Sequence, residues 1–143
     1  MTMKIRVVRA LKNARTRLRD AAAAAHSTAA VNRDLSAQEL QHEHQSLETA
    51  LDQAAGSLAA ARTVHELDRV ADHTVVYRLS VADATRRHEV AQAASELTAD
   101  QLRERSRQLH TAERLFEQVE HRRARRESRA ERGRVDDMTA RRR

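Results

Sequence analysis

The sequence predicts an all-α fold, a long antiparallel two-helix coiled-coil hairpin. The 143 residues include no proline and only two glycines, Gly56 and Gly133, whereas sheets and tight loops normally need more of both. Aromatic residues are limited to Tyr77 and Phe116, and 34% of the residues are charged. Alanine, the commonest apolar residue, buries little area, so a thick core is not expected. Strong helix formers dominate the rest of the chain and favour long helices almost throughout.

Thin apolar stripes run along both halves of the chain at alternating spacings of three and four. The spacing predicts a narrow coiled-coil seam in each half. In the first half the predicted seam is Val7, Leu11, Ala14, Leu18, Ala21 and Ala25, then, after a register slip near Leu35–Leu40, Leu47, Leu51, Ala54, Leu58 and Ala61. In the second half it is Val90, Ala94, Leu97, Leu102, Leu109, Ala112, Phe116 and Val119. Helices this thinly apolar gain stability mainly by packing on each other.

A capping box predicts the position of the turn. In Thr63-Val64-His65-Glu66 the threonine hydroxyl can accept from a backbone N–H three residues on, and the glutamate can reach back. We place the turn at about residues 62–66, with Asp72–Thr74 as the second choice. The chain is then a single hairpin over 1–143, with helix 1 at about 4–61 and helix 2 at about 67–140. The second helix outlasts the first by about five turns, at about 3.6 residues per turn.

Charge is unevenly distributed along the chain. Residues 1–20 carry seven basic side chains and one acidic side chain. Residues 21–119 carry ten basic and fifteen acidic side chains, and residues 120–143 carry ten basic and five acidic ones. A hairpin brings the two basic ends together and leaves the acidic residues along the shaft and at the turn.

Several function classes find little support in the sequence. The carboxylates are scattered among basic neighbours and no phosphate-binding glycine loop is present, so we expect no enzyme and no cofactor. His110, Glu113, Glu117 and His121 share a helical face, but such spacings arise by chance in charged helices, and we expect no metal. No cysteine is present, and no apolar run approaches the ~18 residues of a membrane span. We expect a cytoplasmic protein, with an organelle transit peptide as an alternative for the basic start.

The stretch HRRARRESRAERGR, from His121 to Arg134, is the strongest candidate binding segment. Its arginines suit nucleic-acid phosphates, but acids are interleaved and stacking aromatics are absent. A membrane surface would require an apolar face, which this segment lacks. The remaining interpretation is a solvated helix held by ion pairs such as Arg123 with Glu127.

Three stretches of the chain together resemble a known family. They are the basic start VVRALKNARTRLRDAAAAA, the midpoint TVHELDRVADHTVVYRLS, and the end AERLFEQVEHRRARRESRAERGRVDDMTARRR. In this pattern the chain is similar to the small coiled-coil stalk proteins of bacterial type III secretion and flagellar export, the FliJ/YscO type.

The resemblance implies a non-enzymatic stalk at the inner-membrane export apparatus. The joined chain ends would enter the pore of the hexameric export ATPase, the rest would contact the cytoplasmic domain of the export gate, and export chaperones are further candidate partners. The implied ATPase-binding residues are Lys4, Arg6, Arg9, Arg122, Arg123, Arg125, Arg126, Arg129, Arg132 and Arg134. The implied gate-binding residues are His65, Glu66, Asp68, Arg69, Asp72, His73 and Tyr77. A basic coiled-coil nucleic-acid-binding protein and a generic self-associating coiled coil remain the alternatives.

Overall fold

Two long helices account for nearly all of the chain. The structure, a computed structural model, describes the backbone of residues 2–140 and the side chains of residues 5–134. Helix α1 spans Thr2–Ala60 and helix α2 spans Val64–Ala140. They pack against each other as an antiparallel hairpin, and the described residues contain no strand. The predicted fold class is confirmed.

The turn consists of Ala61, Arg62 and Thr63 and is organised by a capping box. The Glu66 N–H donates to the Thr63 hydroxyl at 3.3 Å, while Glu66 Oε2 accepts from the N–H groups of Thr63 at 3.1 Å and Arg62 at 2.8 Å. These bonds satisfy backbone groups that a helix start leaves without partners. Because Thr63 is the N-cap, α2 begins at Val64, three residues before the predicted start at 67.

The chain divides into two compact units. The first, Met1–Ala23 with Gln101–Arg143, is called here the terminal unit, and the second, Ala24–Asp100, the turn unit. In the terminal unit the seam residues of α1 are Ile5, Val8, Lys12, Arg15, Arg19 and Ala22, and those of α2 are Leu102, Arg105, Leu109, Ala112, Phe116 and Val119. Leu109 and Ala112 are buried, and the other members are half-buried.

The seam of the turn unit combines small and polar side chains with a few larger apolar ones. Its α1 members are His26, Ala29, Ser36, Leu40, Glu43, Leu47, Ala50 and Ala54, and its α2 members are Val70, Thr74, Tyr77, Val81, Ala84, His88, Ala91, Ser95 and Thr98. Ala50, Ala54, Ala84 and Ser95 are buried. Small residues at the contact let two helices approach closely, toward the short end of the usual axial distances.

Several polar seam residues form bonds across the hairpin. His26 Nδ1 lies 3.3 Å from the Thr98 hydroxyl, and His88 Nδ1 lies 3.1 Å from the Ser36 hydroxyl. The Ser80 hydroxyl donates to the Glu43 carboxylate at 2.6 Å. In the terminal unit, the Arg15 guanidinium donates to the Gln108 side-chain oxygen. Such bonds allow polar groups to occupy a partly buried seam without a large desolvation penalty.

Part of the predicted seam is wrong. The predicted residues of the first stripe are exposed, among them Val7 and Leu18, and so are Leu51, Leu58, Val90, Ala94 and Leu97. The observed α1 seam keeps one heptad register from Ile5 to Ala54, without the predicted slip. The prediction favoured the stripe with the largest apolar side chains, whereas α1 in the terminal unit packs along a stripe that includes Lys12, Arg15 and Arg19, whose apolar stems can cover the partner helix.

Ala84 offers a direct test of the seam, because it is 1% exposed. We expect Ala84→Leu to lower the free energy of unfolding by about 1–3 kcal/mol, since the added methylenes have no space between the helices. Ala82→Leu, on an exposed position of the same helix, should change it by less than about 0.5 kcal/mol. Urea unfolding followed by far-UV circular dichroism measures both, and equal effects would contradict the seam assignment.

Candidate functional site

The two units of the chain carry opposite net charge. The terminal unit contains 21 Lys and Arg against nine Asp and Glu, a net charge of +12. The turn unit contains six Arg against twelve Asp and Glu, a net charge of −6. The predicted grouping of basic residues at the chain ends therefore coincides with a compact part of the fold. A field of this kind attracts anionic partners and steers their approach.

The terminal unit contains the part of α2 for which the sequence predicts no apolar face. This part, from Glu120 to Arg134, is called here the bare segment. Every residue from Glu120 to Arg134 is exposed, and all of them lie within α2. The reason is the register: Arg15 contacts Gln108 and Arg9 lies over Phe116, so the start of α1 lies beside α2 at about residue 120. The described side chains of α1 therefore do not cover α2 beyond that point. Seven arginines project from this segment: Arg122, Arg123, Arg125, Arg126, Arg129, Arg132 and Arg134.

One internal ion pair orders part of this segment. Arg123 Nε donates to Glu127 Oε1 at 2.6 Å, an i,i+4 pair on the helix surface. This hydrogen bond, with the charges of Glu127 and Glu120, raises the pKa of Arg123. Exposed i,i+4 pairs of this kind are screened by solvent and add little to helix stability. The pair confirms the predicted solvated-helix contact without assigning the helix a function.

The basic residues of the N-terminal segment lie on α1 in the same unit. Arg6 and Arg9 are exposed, and the side chain of Lys4 lies outside the described residues. The Arg9 guanidinium lies 5.9 Å and the Lys12 ammonium 5.2 Å from the centre of the Phe116 ring. These distances fall within the range of cation–π attraction. The sequence analysis treated Phe116 only as a seam residue and missed its contact with two basic side chains.

The seven turn-proximal candidates lie in the turn unit, on the first turns of α2. His65, Asp68, Arg69 and Asp72 are exposed. His73 and Tyr77 instead pack edge to face, with ring centres 5.2 Å apart, and Tyr77 is half-buried in the seam. Part of this candidate set therefore has a role in packing.

The carboxylate of Glu66 is occupied by hydrogen bonds at the turn. Its carboxylate accepts the two backbone N–H bonds of the capping box, from Arg62 and Thr63. These bonds stabilise the ionised form and hold the pKa of Glu66 below its usual value of 4.5. A carboxylate engaged in this way is a weaker candidate for binding a partner than its exposed neighbours.

An open groove of about 480 Å³ crosses the turn unit, with Ala29, Val90 and Ala94 among its lining residues. Two arginines that line it are paired, Arg86 with Asp83 at 3.6 Å and Arg87 with Glu39 at 3.2 Å. Small-molecule sites normally enclose the ligand and present convergent polar groups. This groove does neither, and it adds no residue to the candidate site.

Metal and membrane searches cover the described residues. Among them, no group of three or more histidine or acidic side chains is arranged to hold a metal ion. Within the same residues, neither helix contains a stretch apolar and long enough to span a bilayer.

Comparisons with known proteins add no relative. Protein-family models, curated proteins and solved structures give no significant match to this chain.

The capping box generates a prediction about pH. Because the pKa of Glu66 is lowered on folding, the unfolded chain binds more protons, and this residue stabilises the fold above about pH 4.5. The contribution should disappear as the pH falls through the folded-state pKa. Glu66→Gln should therefore cost more stability at about pH 6 than at about pH 3, because the ionised form that the capping box favours is less populated at low pH. Thermal unfolding of both chains at the two pH values tests this, and a pH-independent difference would contradict it.

The bare segment generates a prediction about local stability. Backbone amides between residues 120 and 134 should exchange with solvent much faster than those between 102 and 112, because they lack packing against α1. Hydrogen exchange followed by mass spectrometry or NMR measures both regions in one sample. Equal protection in the two regions would mean that an unrecognised contact covers the segment.

Proposed function

We propose that this protein is a non-enzymatic central stalk of a bacterial type III secretion or flagellar export apparatus. Its basic chain ends insert into the pore of the hexameric export ATPase, and the residues near its turn link that ATPase to the export gate. Export chaperones are additional candidate partners. The observation that carries the proposal is the exposed arginine-rich segment from Glu120 to Arg134, which belongs to the same basic unit as the N-terminal segment.

The physical chemistry of the segment supports this use. A helix end that enters a ring and changes orientation there has to be held without a sticky apolar contact, because such a contact would trap one orientation. Between Glu120 and Arg134 the only apolar side chains are Ala124 and Ala130. Charge complementarity with an acidic ring would set the rate and orientation of encounter while leaving the interface hydrated.

The antiparallel hairpin also suits a linking role. The terminal unit is basic and the turn unit is acidic, so one protein can offer one partner basic side chains and another partner acidic ones. The exposed residues Asp68 and Asp72 near the turn would contribute to the gate contact. Arg6, Arg9 and the arginines of the bare segment would contribute to the ATPase contact.

Nucleic-acid binding is the second candidate, favoured by the same net charge of +12 on the terminal unit. It is weakened by the pairing of Arg123 with Glu127, because a paired arginine must exchange partners before it binds a phosphate. It makes a separable prediction: binding to any duplex, falling steeply with salt.

Charge reversal in the bare segment tests the proposal. The wild-type chain should co-purify with the cognate export ATPase. Arg122→Glu, Arg123→Glu, Arg125→Glu and Arg126→Glu combined should weaken that association by about tenfold or more, because electrostatic steering is lost. The matched control replaces the same four residues by lysine, which keeps the charge and should retain binding.

Two results would contradict the assignment. One is equal binding of the ATPase by the wild-type and glutamate variants, and the other is no binding by either. A duplex DNA of random sequence, added at ~50 mM salt, provides the comparison with the second candidate. Retention on DNA together with no retention on the ATPase would favour nucleic-acid binding.

A further inference from the structure

The shift of the seam leaves large apolar side chains on the surface that the proposed function does not use. Two groups of them stand out, because each lies within one unit and is flanked by charges of one predominant sign.

The first group lies in the terminal unit and is called here the basic patch. It consists of Val7, Leu11 and Leu18 on α1 and Leu115 on α2, which are 59, 39, 43 and 45% exposed. Leu11 and Leu18 stand one turn before and one turn after Arg15, and Leu115 stands one heptad after Gln108. Since Arg15 and Gln108 are bonded, these residues lie along the same edge of the helix pair. The exposed cations around them are Arg17, Arg107, Arg114 and Arg122.

The second group lies in the turn unit and is called here the acidic patch. It consists of Leu51 and Leu58 on α1 and Val64 and Val75 on α2, which are 41, 48, 74 and 48% exposed. Leu51, Leu58 and Val64 occupy the same heptad position, one that lies beside the seam. In an antiparallel pair, equivalent positions of this kind on the two helices lie next to each other. The ion pair of Glu39 with Arg87 shows this arrangement on the opposite edge of the seam. The exposed acids around them are Glu48, Asp52, Asp68 and Asp72.

We propose that the basic patch of one copy of this protein binds the acidic patch of a second copy, so that the chain self-associates head to tail. Each patch supplies apolar side chains at helical spacing, and the two sets of flanking charges are opposite in sign. The net charges of the units, +12 and −6, add long-range attraction between unlike units and repulsion between like ones. One protein therefore presents both halves of a complementary contact.

The pattern of the basic patch favours a helix as the occupant over a lipid surface. Val7, Leu11, Ala14, Leu18 and Ala21 alternate spacings of four and three, a narrow stripe that suits the ridge of another helix. Helices that lie in a bilayer interface present a broader apolar face with bulky residues. Here alanines separate the larger side chains, and Glu104, bonded to Gln108, lies close to the stripe.

Head-to-tail contact has a consequence for the size of the assembly. The two patches are different surfaces, so the contact is heterologous, and each added copy leaves one patch of each kind available. Mass should rise with concentration and should fall with salt, because exposed charges are screened within about 8 Å at physiological ionic strength.

Complementation between two defective variants tests the proposal. Leu11→Ser with Leu18→Ser removes the basic patch, and Leu51→Ser with Leu58→Ser removes the acidic patch. Each purified variant should sediment as a 16.2 kDa monomer over a concentration range in which the wild-type chain grows in mass. A mixture of the two should form a one-to-one pair and nothing larger, since one intact patch of each kind remains. Sedimentation velocity on full-length chains gives the masses.

The control replaces exposed apolar residues outside both patches. Val31 and Leu97 are 53 and 59% exposed, and Val31→Ser with Leu97→Ser should associate as the wild type does. All of these positions are on the surface, so circular dichroism should show unchanged helicity and nearly unchanged unfolding midpoints. A charge swap keeps the apolar residues intact: Arg17→Glu with Arg114→Glu in one chain, and Asp68→Arg with Asp72→Arg in the other. Each of these variants alone should stay monomeric, whereas their mixture should grow beyond a pair, because both contacts are then complementary.

Several outcomes would overturn the proposal. A wild-type chain that stays monomeric up to about 100-fold above the lowest measurable concentration has no such contact. Variants that associate as the wild type does place the contact elsewhere, and a mixture that stays monomeric excludes head-to-tail pairing. Binding of the monomer to vesicles of anionic phospholipid, lost in the Leu11→Ser, Leu18→Ser variant, would identify a membrane surface as the occupant instead.

Discussion

The structure depends on the close packing of α1 on α2 through a seam built mainly from alanine, serine and the stems of polar side chains. A seam of this kind buries little apolar area, so each helix would be marginal without the other. Small residues such as Ala84 and Ser95 let the backbones approach, and cross-hairpin bonds such as Ser36 to His88 satisfy the polar groups drawn into the contact. The length of the paired region compensates for the weakness of each layer.

The choice of this seam determines what remains on the surface. Because Lys12, Arg15 and Arg19 face α2, the neighbouring stripe that holds Leu11 and Leu18 faces away from it. A monomeric hairpin gains nothing from leucines in that position, whereas a second helix lying against them would bury them. In the terminal unit, the polar seam of α1 and the exposure of Leu11 and Leu18 are thus two results of one rotation of α1 about its axis.

Sequence alone was sufficient for the features set by local chemistry. The capping box at Thr63 and Glu66 depends only on residues three apart, and the absence of proline and the scarcity of glycine favour helix throughout. The bare segment after Glu120 followed from the loss of apolar spacing. The register of α1 was not predictable in the same way, since the apolar stripe from Val7 to Ala25 lies beside a mixed stripe that holds Lys12, Arg15 and Arg19, and only the partner helix selects the mixed one. Phe116 illustrates this: its contacts with Arg9 and Lys12 depend on which side of α1 it meets.

Both proposed contacts depend on the opposite net charges of the two units. A terminal unit of +12 can bind an acidic ring or the acidic patch of another copy, and the arginines that would serve the two partners overlap at Arg122. Partners that share a surface compete, and the one with the higher local concentration and the deeper apolar contact prevails. The bare segment contributes charge without apolar area, so its contact should be the more sensitive to salt. The basic patch contributes both charge and apolar area. Through Leu11 and Leu18 it should keep part of its affinity for the acidic patch when salt has screened the arginines. Salt would then shift the protein from one kind of contact to the other without a change in fold.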